Sequence, residues 1–150
     1  MRRLFIIRKD LHLTAGKLSA MVAHCAEAYW TNLFRKNLIH KWDAECEGET
    51  KTYYSVNLLL NADIVDKYIN DSFVKTICEA KNKNHLLKAV KLAENEGLKE
   101  DVHFGLIYDK CLTELEPEEE DGTTLVGIWF CPLSDEEAHK ISKKYQLYRG

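Results

Sequence analysis

The stretch LFIIRKDLHLTAGKLSAMVAHCAEAYW, residues 4–30, decides the fold class. Its first four residues form a continuous apolar run, the pattern of a strand buried on both faces. Thr14, Ala15 and Gly16 then turn the chain into a helix. Its apolar positions, Leu18, Met21, Val22, Cys25, Tyr29 and Leu33, recur at helical spacing. A buried strand feeding directly into an amphipathic helix opens an α/β layer. The same stretch poses an electrostatic question. Lys17 lies in the first helical turn, where the partial positive charge of the helix end disfavours a cation. His24 follows seven residues later, close to two full turns, so both side chains occupy one face. Together, just after a glycine, they suggest an anion or a polarised substrate at the helix mouth.

Outward from this stretch, strand and helix patterns continue to alternate. The helix is expected to run to about Trp42. YYSVNLLL (53–60) reads as a strand, ADIVDKYIN (62–70) as a short helix and VKTICEA (74–80) as a further strand. HLLKAVKLAENEG (85–97) is helical, with Leu86, Ala89, Val90 and Ala93 on one face and Gly97 placed to end it. FGLIYD (104–109) and TTLVGIWF (123–130) are strands separated by an acidic loop. Ser134 and Glu137 form a capping-box pattern that opens a last helix, with Ala138, Ile141 and Tyr145 inward. The expected architecture is one α/β domain over 1–150, a mixed sheet of about four to five strands with helices on both faces. Residues 43–72 fit it least and read as an insertion or an elaborated edge.

The bulk numbers agree with a globular domain: 150 residues, 45% hydrophobic and 30% charged. A net charge of −3 argues against bulk binding to nucleic acid, DNA included. The distribution is uneven. Residues 1–41 hold eight basic side chains (Arg2, Arg3, Arg8, Lys9, Lys17, Arg35, Lys36, Lys41) against two acids, Asp10 and Glu27. Acids gather in 43–49 and in ELEPEEED, 114–121, so a polyanion fits only the N-terminal side. The five cysteines lack C-x-x-C spacing and indicate neither zinc nor a disulfide framework. Reduced thiols and a cytoplasmic location are expected. No run approaches the roughly 20 apolar residues of a membrane span, and MRRLFIIRKD has too short an apolar core for a signal peptide.

No P-loop, G-x-G-x-x-G, G-x-S-x-G or H-E-x-x-H occurs, so no metal or nucleotide cofactor is expected. What remains is a set of polar residues at the ends of elements. Lys17 and His24 are joined by Asp109, which ends an apolar strand where α/β sheets commonly place functional side chains. Thr113, Thr123 and Thr124 flank the acidic loop. Each also has an ordinary structural role: a surface lysine, a core histidine, a turn-forming aspartate, strand-entry threonines. Composition and spacing name no reaction.

Several short segments, in order, resemble the archaeal and eukaryotic type of peptidyl-tRNA hydrolase. That family opens with R-x-D-L-x-M and then G-K-x-A-A-Q-x-x-H-A. Arg8, Asp10, Leu11, Gly16, Lys17, Ala20 and His24 match it here. VKTICEAKNKNHLLKAVKLAENEGL is similar to its central strand and helix. FGLIYDKCLTELEP resembles its strand ending in D-A-G-x-T, with Asp109 and Thr113 in register. TTLVGIWFCPLSDEEAHKISKKYQLY resembles its last strand and helix, with Thr124 on the family's threonine. Residues 43–72 are left over. The family's glutamine is Met21 here, Lys110, Cys111 and Leu112 replace Ala-Gly-Arg, and EPEEED follows where the family is usually neutral or basic.

The resemblance implies metal-independent cleavage of the ester between a peptide and the 3′ ribose of tRNA. On that reading His24 and Asp109 orient or deprotonate water. Lys17 stabilises negative charge or holds the terminal phosphate, and Thr113 and Thr124 bond the ester or fix Asp109. Arg8, Lys9, Gly16 and Met21 line the substrate site. The family also implies a homodimer. Two other readings stand beside this one. A catalytically inactive relative acting as a protein-binding module is favoured by Met21 and by an acidic loop that would repel RNA. The other is a hydrolase of a different acyl ester or amide, whose activity would not weaken with salt.

Overall fold

The computed structural model describes residues 1–150. Strand β1 (Arg2–Arg8) leads into helix α1 (Ala15–Lys36), followed by strands β2 (Leu38–Cys46) and β3 (Glu49–Val56) and a π-helical segment, Ile64–Ser72. Strand β4 (Val74–Ala80), helix α2 (Lys83–Asn95), strands β5 (Phe104–Asp109) and β6 (Thr124–Phe130), helix α3 (Asp135–Ser142) and a two-residue strand β7 (Gln146–Leu147) complete the chain. The main sheet has five strands in the order β5-β6-β1-β4-β7. β1 and β4 are parallel, while β6 runs antiparallel to β1 and β5, and β7 antiparallel to β4. The crossover through α1 moves along the sheet from β1 to β4. The one through α2 moves back from β4 to β5. Both are right-handed by the usual twist argument, so the two helices cover opposite faces. α3 packs beside α2.

The apolar run of β1 is the centre of the core. Leu4, Phe5, Ile6 and Ile7 are all fully buried, as the unbroken pattern requires of a strand covered on both faces. Arg3, equally buried, ties β1 to α1: its guanidinium donates to the carbonyls of Phe130, Ala26 and Cys25 at 2.6–3.1 Å and lies over the rings of Phe5 and Tyr29. At Gly105 the neighbouring strand comes so close that a Cβ would sit 2.5 Å from the indole of Trp129. That indole packs against Tyr29 of α1.

Helix ends follow their caps. Ser134 accepts from the Glu137 N–H at 3.1 Å, and Asn82 accepts from His85 N–H at 2.8 Å. α2 stops at Gly97 (φ +79°) in a Schellman motif, with Leu98 N–H on Ala93 O and Gly97 N–H on Glu94 O.

The region 37–72 departs from the expected pattern. α1 ends at Lys36, well before Trp42, because Asn37 caps it, its side-chain amide donating to Leu33 O at 2.7 Å. Beyond it lies a separate antiparallel ribbon, β2 with β3, turning at Glu47-Gly48, both with positive φ as a two-residue hairpin demands. The strand expected over 53–60 ends at Val56, and the expected helix over 62–70 is a π-helical turn. It closes with Phe73 N–H on Tyr68 O, an i→i+5 bond. No helix is long and apolar enough to cross a membrane.

Candidate active site

The C-terminal end of β5 and the N-terminal end of α1 meet on one side of the sheet, and the answer to the Lys17 question lies there. Thr14 caps α1, its hydroxyl accepting from Lys17 N–H at 3.3 Å. The first turn holds no acid of its own. The compensating charge comes from across the fold: Lys17 Nζ is 2.7 Å from Asp109 Oδ1. The same ammonium donates to Thr113 Oγ1 at 3.2 Å. The ion pair is nearly but not fully sealed, with 13% of the Lys17 side chain and 9% of Asp109 exposed, and Thr113 is exposed beside it. A pair so placed is screened little by bulk water and keeps an open edge to it.

Asp109 is held from behind. Its Oδ2 accepts from Cys111 N–H at 3.0 Å, an aspartate turn in which Cys111 takes a positive φ of 58°. Thr124, opposite Asp109 in the β5–β6 register, is completely buried. Its hydroxyl donates to Glu116 O at 2.7 Å and accepts from Glu118 N–H and from Cys111 Sγ. With every lone pair and its proton engaged inside the chain, Thr124 shapes the turn that carries Asp109 and Thr113.

The structure thus joins Lys17, Asp109 and Thr113, with Thr124 behind them, and separates the other expected residues. His24 lies two turns along α1 and hydrogen-bonds to neither Asp109 nor Lys17. It lines a neighbouring depression of about 370 Å³ with Glu27, Thr31, Leu106 and Ile107. Gly16 sits in the first turn with open space where a Cβ would be, and its φ is not in the left-handed region, so the fold itself does not require glycine. Lys9 pairs with Glu79 at 3.0 Å.

Two of the expected substrate contacts are buried. Met21 is 2% exposed and packs in the core, on the same helix face as Cys25 and Tyr29. Arg8 is 3% exposed, and its five N–H donors are all used: Nε and Nη2 on Asp10, both terminal nitrogens on Glu118, and Nη1 also on Leu125 O. Burial opposes its charge, but the bonds to Asp10 and Glu118 outweigh that and raise its pKa. It is a strut for the acidic loop. The loop's charge is partly answered inside the chain as well. Glu114 accepts from the Thr14 hydroxyl, and Glu119 pairs with Lys83, whose pKa is raised by that bond. No three or more His, Cys, Asp or Glu side chains are arranged to hold a metal ion.

Sequence reading overlooked the supporting roles of Thr14, Glu114, Glu118 and the Cys111 amide. The signals for two of them were present: a threonine three residues before Lys17, and D-x-C after a strand.

The thiols give a direct check of this arrangement. Burial pushes Cys25 and Cys131 up to about 12, so neither forms thiolate near neutral pH. Cys46 is exposed and Cys111 half-buried at the turn. Iodoacetamide is expected to label Cys46 and Cys111 and to spare Cys25 and Cys131, as read by peptide mass mapping. Alkylation of Cys111 would load the Asp109 turn and abolish any activity based there, and Cys111→Ala would remove that sensitivity.

Comparison with known proteins gives the family. The family model for peptidyl-tRNA hydrolase PTH2 matches residues 1–148. The chain is similar to the peptidyl-tRNA hydrolase of Methanopyrus kandleri, with 28% identity over 99% of this chain and 98% of that protein. It is also similar to the peptidyl-tRNA hydrolase of Thermoplasma acidophilum, with 21% identity over 94% and 92% of the two chains. With a match running from the first residue of β1 to the end of β7, the chain belongs to the PTH2 family of peptidyl-tRNA hydrolases.

Proposed function

We propose that the protein hydrolyses the ester between peptide and tRNA, using Lys17, Asp109 and Thr113, without a metal. The observation that carries this reading is the 2.7 Å Lys17–Asp109 pair at the sheet's C-terminal end, open to solvent on the Thr113 side. Ester hydrolysis needs a positioned water and a place for the negative charge of the tetrahedral intermediate. Asp109 binds Lys17 through one oxygen and the Cys111 amide through the other, and each oxygen keeps a lone pair for a water. Lys17 has three N–H donors, of which Asp109 and Thr113 take two. The third is free for the oxyanion or a phosphate oxygen. As water attacks the carbonyl carbon, its proton passes to Asp109. Collapse of the intermediate breaks the bond to the ribose oxygen, which takes that proton back. The open space at Gly16 lets the terminal nucleotide approach the backbone of the helix end. His24 lines the adjoining depression, where the peptidyl or terminal-nucleoside part of the substrate would lie.

The reading also carries a cytoplasmic location and a homodimer, the latter to be read by analytical ultracentrifugation. Its test is release of tRNA from N-acetyl-aminoacyl-tRNA by purified protein in EDTA. Multiple turnovers are expected. No release at enzyme equal to substrate would overturn it in favour of the inactive relative.

A further inference from the structure

A further depression, about 420 Å³, lies on the opposite face of the sheet from Lys17. His85, Lys88, Lys91 and Asn95 of α2 line it, with Lys144 and Tyr145 just beyond α3. No acid lines it, and Lys88, Lys91 and Lys144 take part in no ion pair. The depression thus gathers three cations with no carboxylate on its lining. Lys88 and Lys91 stand three apart on one helix, where like charges repel; Glu94, three residues beyond Lys91, does not line the depression.

The floor is rigid. The His85 ring stacks on Tyr145 with centroids 4.5 Å apart, and the Tyr145 hydroxyl donates to His85 O at 2.8 Å. His85 Nδ1 accepts from Lys81 N–H at 3.0 Å, which leaves Nε2 as the ring's N–H donor. A fixed imidazole N–H, an amide and three ammonium groups make a row of donors suited to phosphodiester oxygens. The row follows one stripe of α2, about 15 Å from residue 85 to residue 95. It begins next to the catalytic end of the sheet, because α2 starts directly after β4 and is tied by Lys83 to Glu119 of the loop above Asp109.

We infer that this depression binds the phosphate backbone of the tRNA body, away from the scissile ester. The inference rests on the substrate reading above. Its test does not require hydrolysis: binding of deacylated full-length tRNA is measured by anisotropy across salt concentrations for the wild type and for Lys88→Ala/Lys91→Ala/Lys144→Ala. A second triple, Lys51→Ala/Lys67→Ala/Lys99→Ala, removes the same charge elsewhere. Circular dichroism confirms that each triple is folded. At about 0.15 M salt the patch triple is expected to bind roughly 10- to 100-fold more weakly, with the salt slope reduced by about three. The control triple should change the slope by less than one. Turnover of a short CCA-ended acyl oligonucleotide should be unaffected by the patch substitutions. Unchanged tRNA binding by the patch triple, an equal loss in the control triple, or an equal loss with the short substrate would each overturn the inference. Normal patch-dependent binding without hydrolysis would instead count against the catalytic reading alone.

Discussion

Asp109→Asn is expected to lower kcat on a peptidyl-tRNA by about 10²- to 10⁴-fold, the range for removing a positioned acid–base group. The change is nearly isosteric. The asparagine oxygen still accepts one hydrogen bond, so the turn at Cys111 and the overall fold should survive. What disappears is the negative charge that orients water and answers Lys17. Removing one member of a mostly buried pair also costs stability, about 3 kcal/mol. Kinetics should therefore be run well below the melting transition, with Tm measured alongside. KM should move little, because the lost interaction belongs to the reaction coordinate and not to binding of the tRNA.

The second large effect is structural. Arg8→Ala should destabilise the protein by about 1–3 kcal/mol: it leaves the Leu125 carbonyl without its buried donor and unpairs Asp10 and Glu118, whose side chains are 35% and 39% exposed and stay hydrated. The released segment is the loop from 110 to 123, which carries Thr113. Activity should fall with stability, and Arg8→Lys should rescue neither fully, since one ammonium lacks the fork that meets two carboxylates at once. Urea unfolding measures the first effect. A wild-type midpoint in Arg8→Ala would mean that the ion-pair network contributes nothing to the fold.

The two substitutions mark the boundary of what the sequence discloses. LFII announced a doubly covered strand, and Leu4–Ile7 are fully buried. Leu86, Ala89 and Ala93 face inward as their spacing requires, with Val90 half-buried beside them, and Gly97 ends one helix as Ser134 opens another. These are local rules read over a few residues. The ribbon 38–56 escaped because Glu-Gly is a weak hairpin signal beside Asn-Gly, and because acids over 43–49 look like loop. Arg8 next to Lys9 and Asp10 reads as a basic surface, and nothing nearby reveals that Glu118 closes on it. Met21 carries two readings, apolar helix position and substrate contact, and it packs on the Cys25–Tyr29 face. The Lys17–Asp109 pair spans ninety-odd residues of chain, beyond any periodicity. Only the family resemblance brought those two residues together before the fold did.

A double-mutant cycle on that pair is the most direct test of the central claim. Single-turnover hydrolysis of N-acetyl-aminoacyl-tRNA is compared for the wild type, Lys17→Ala, Asp109→Ala and the double variant. If ammonium and carboxylate act as one unit, each single change slows the chemical step by at least about 10²-fold, and the double variant is hardly slower than the worse single one. Wild-type rates in either single variant, or losses that simply multiply in the double, would contradict a shared catalytic pair.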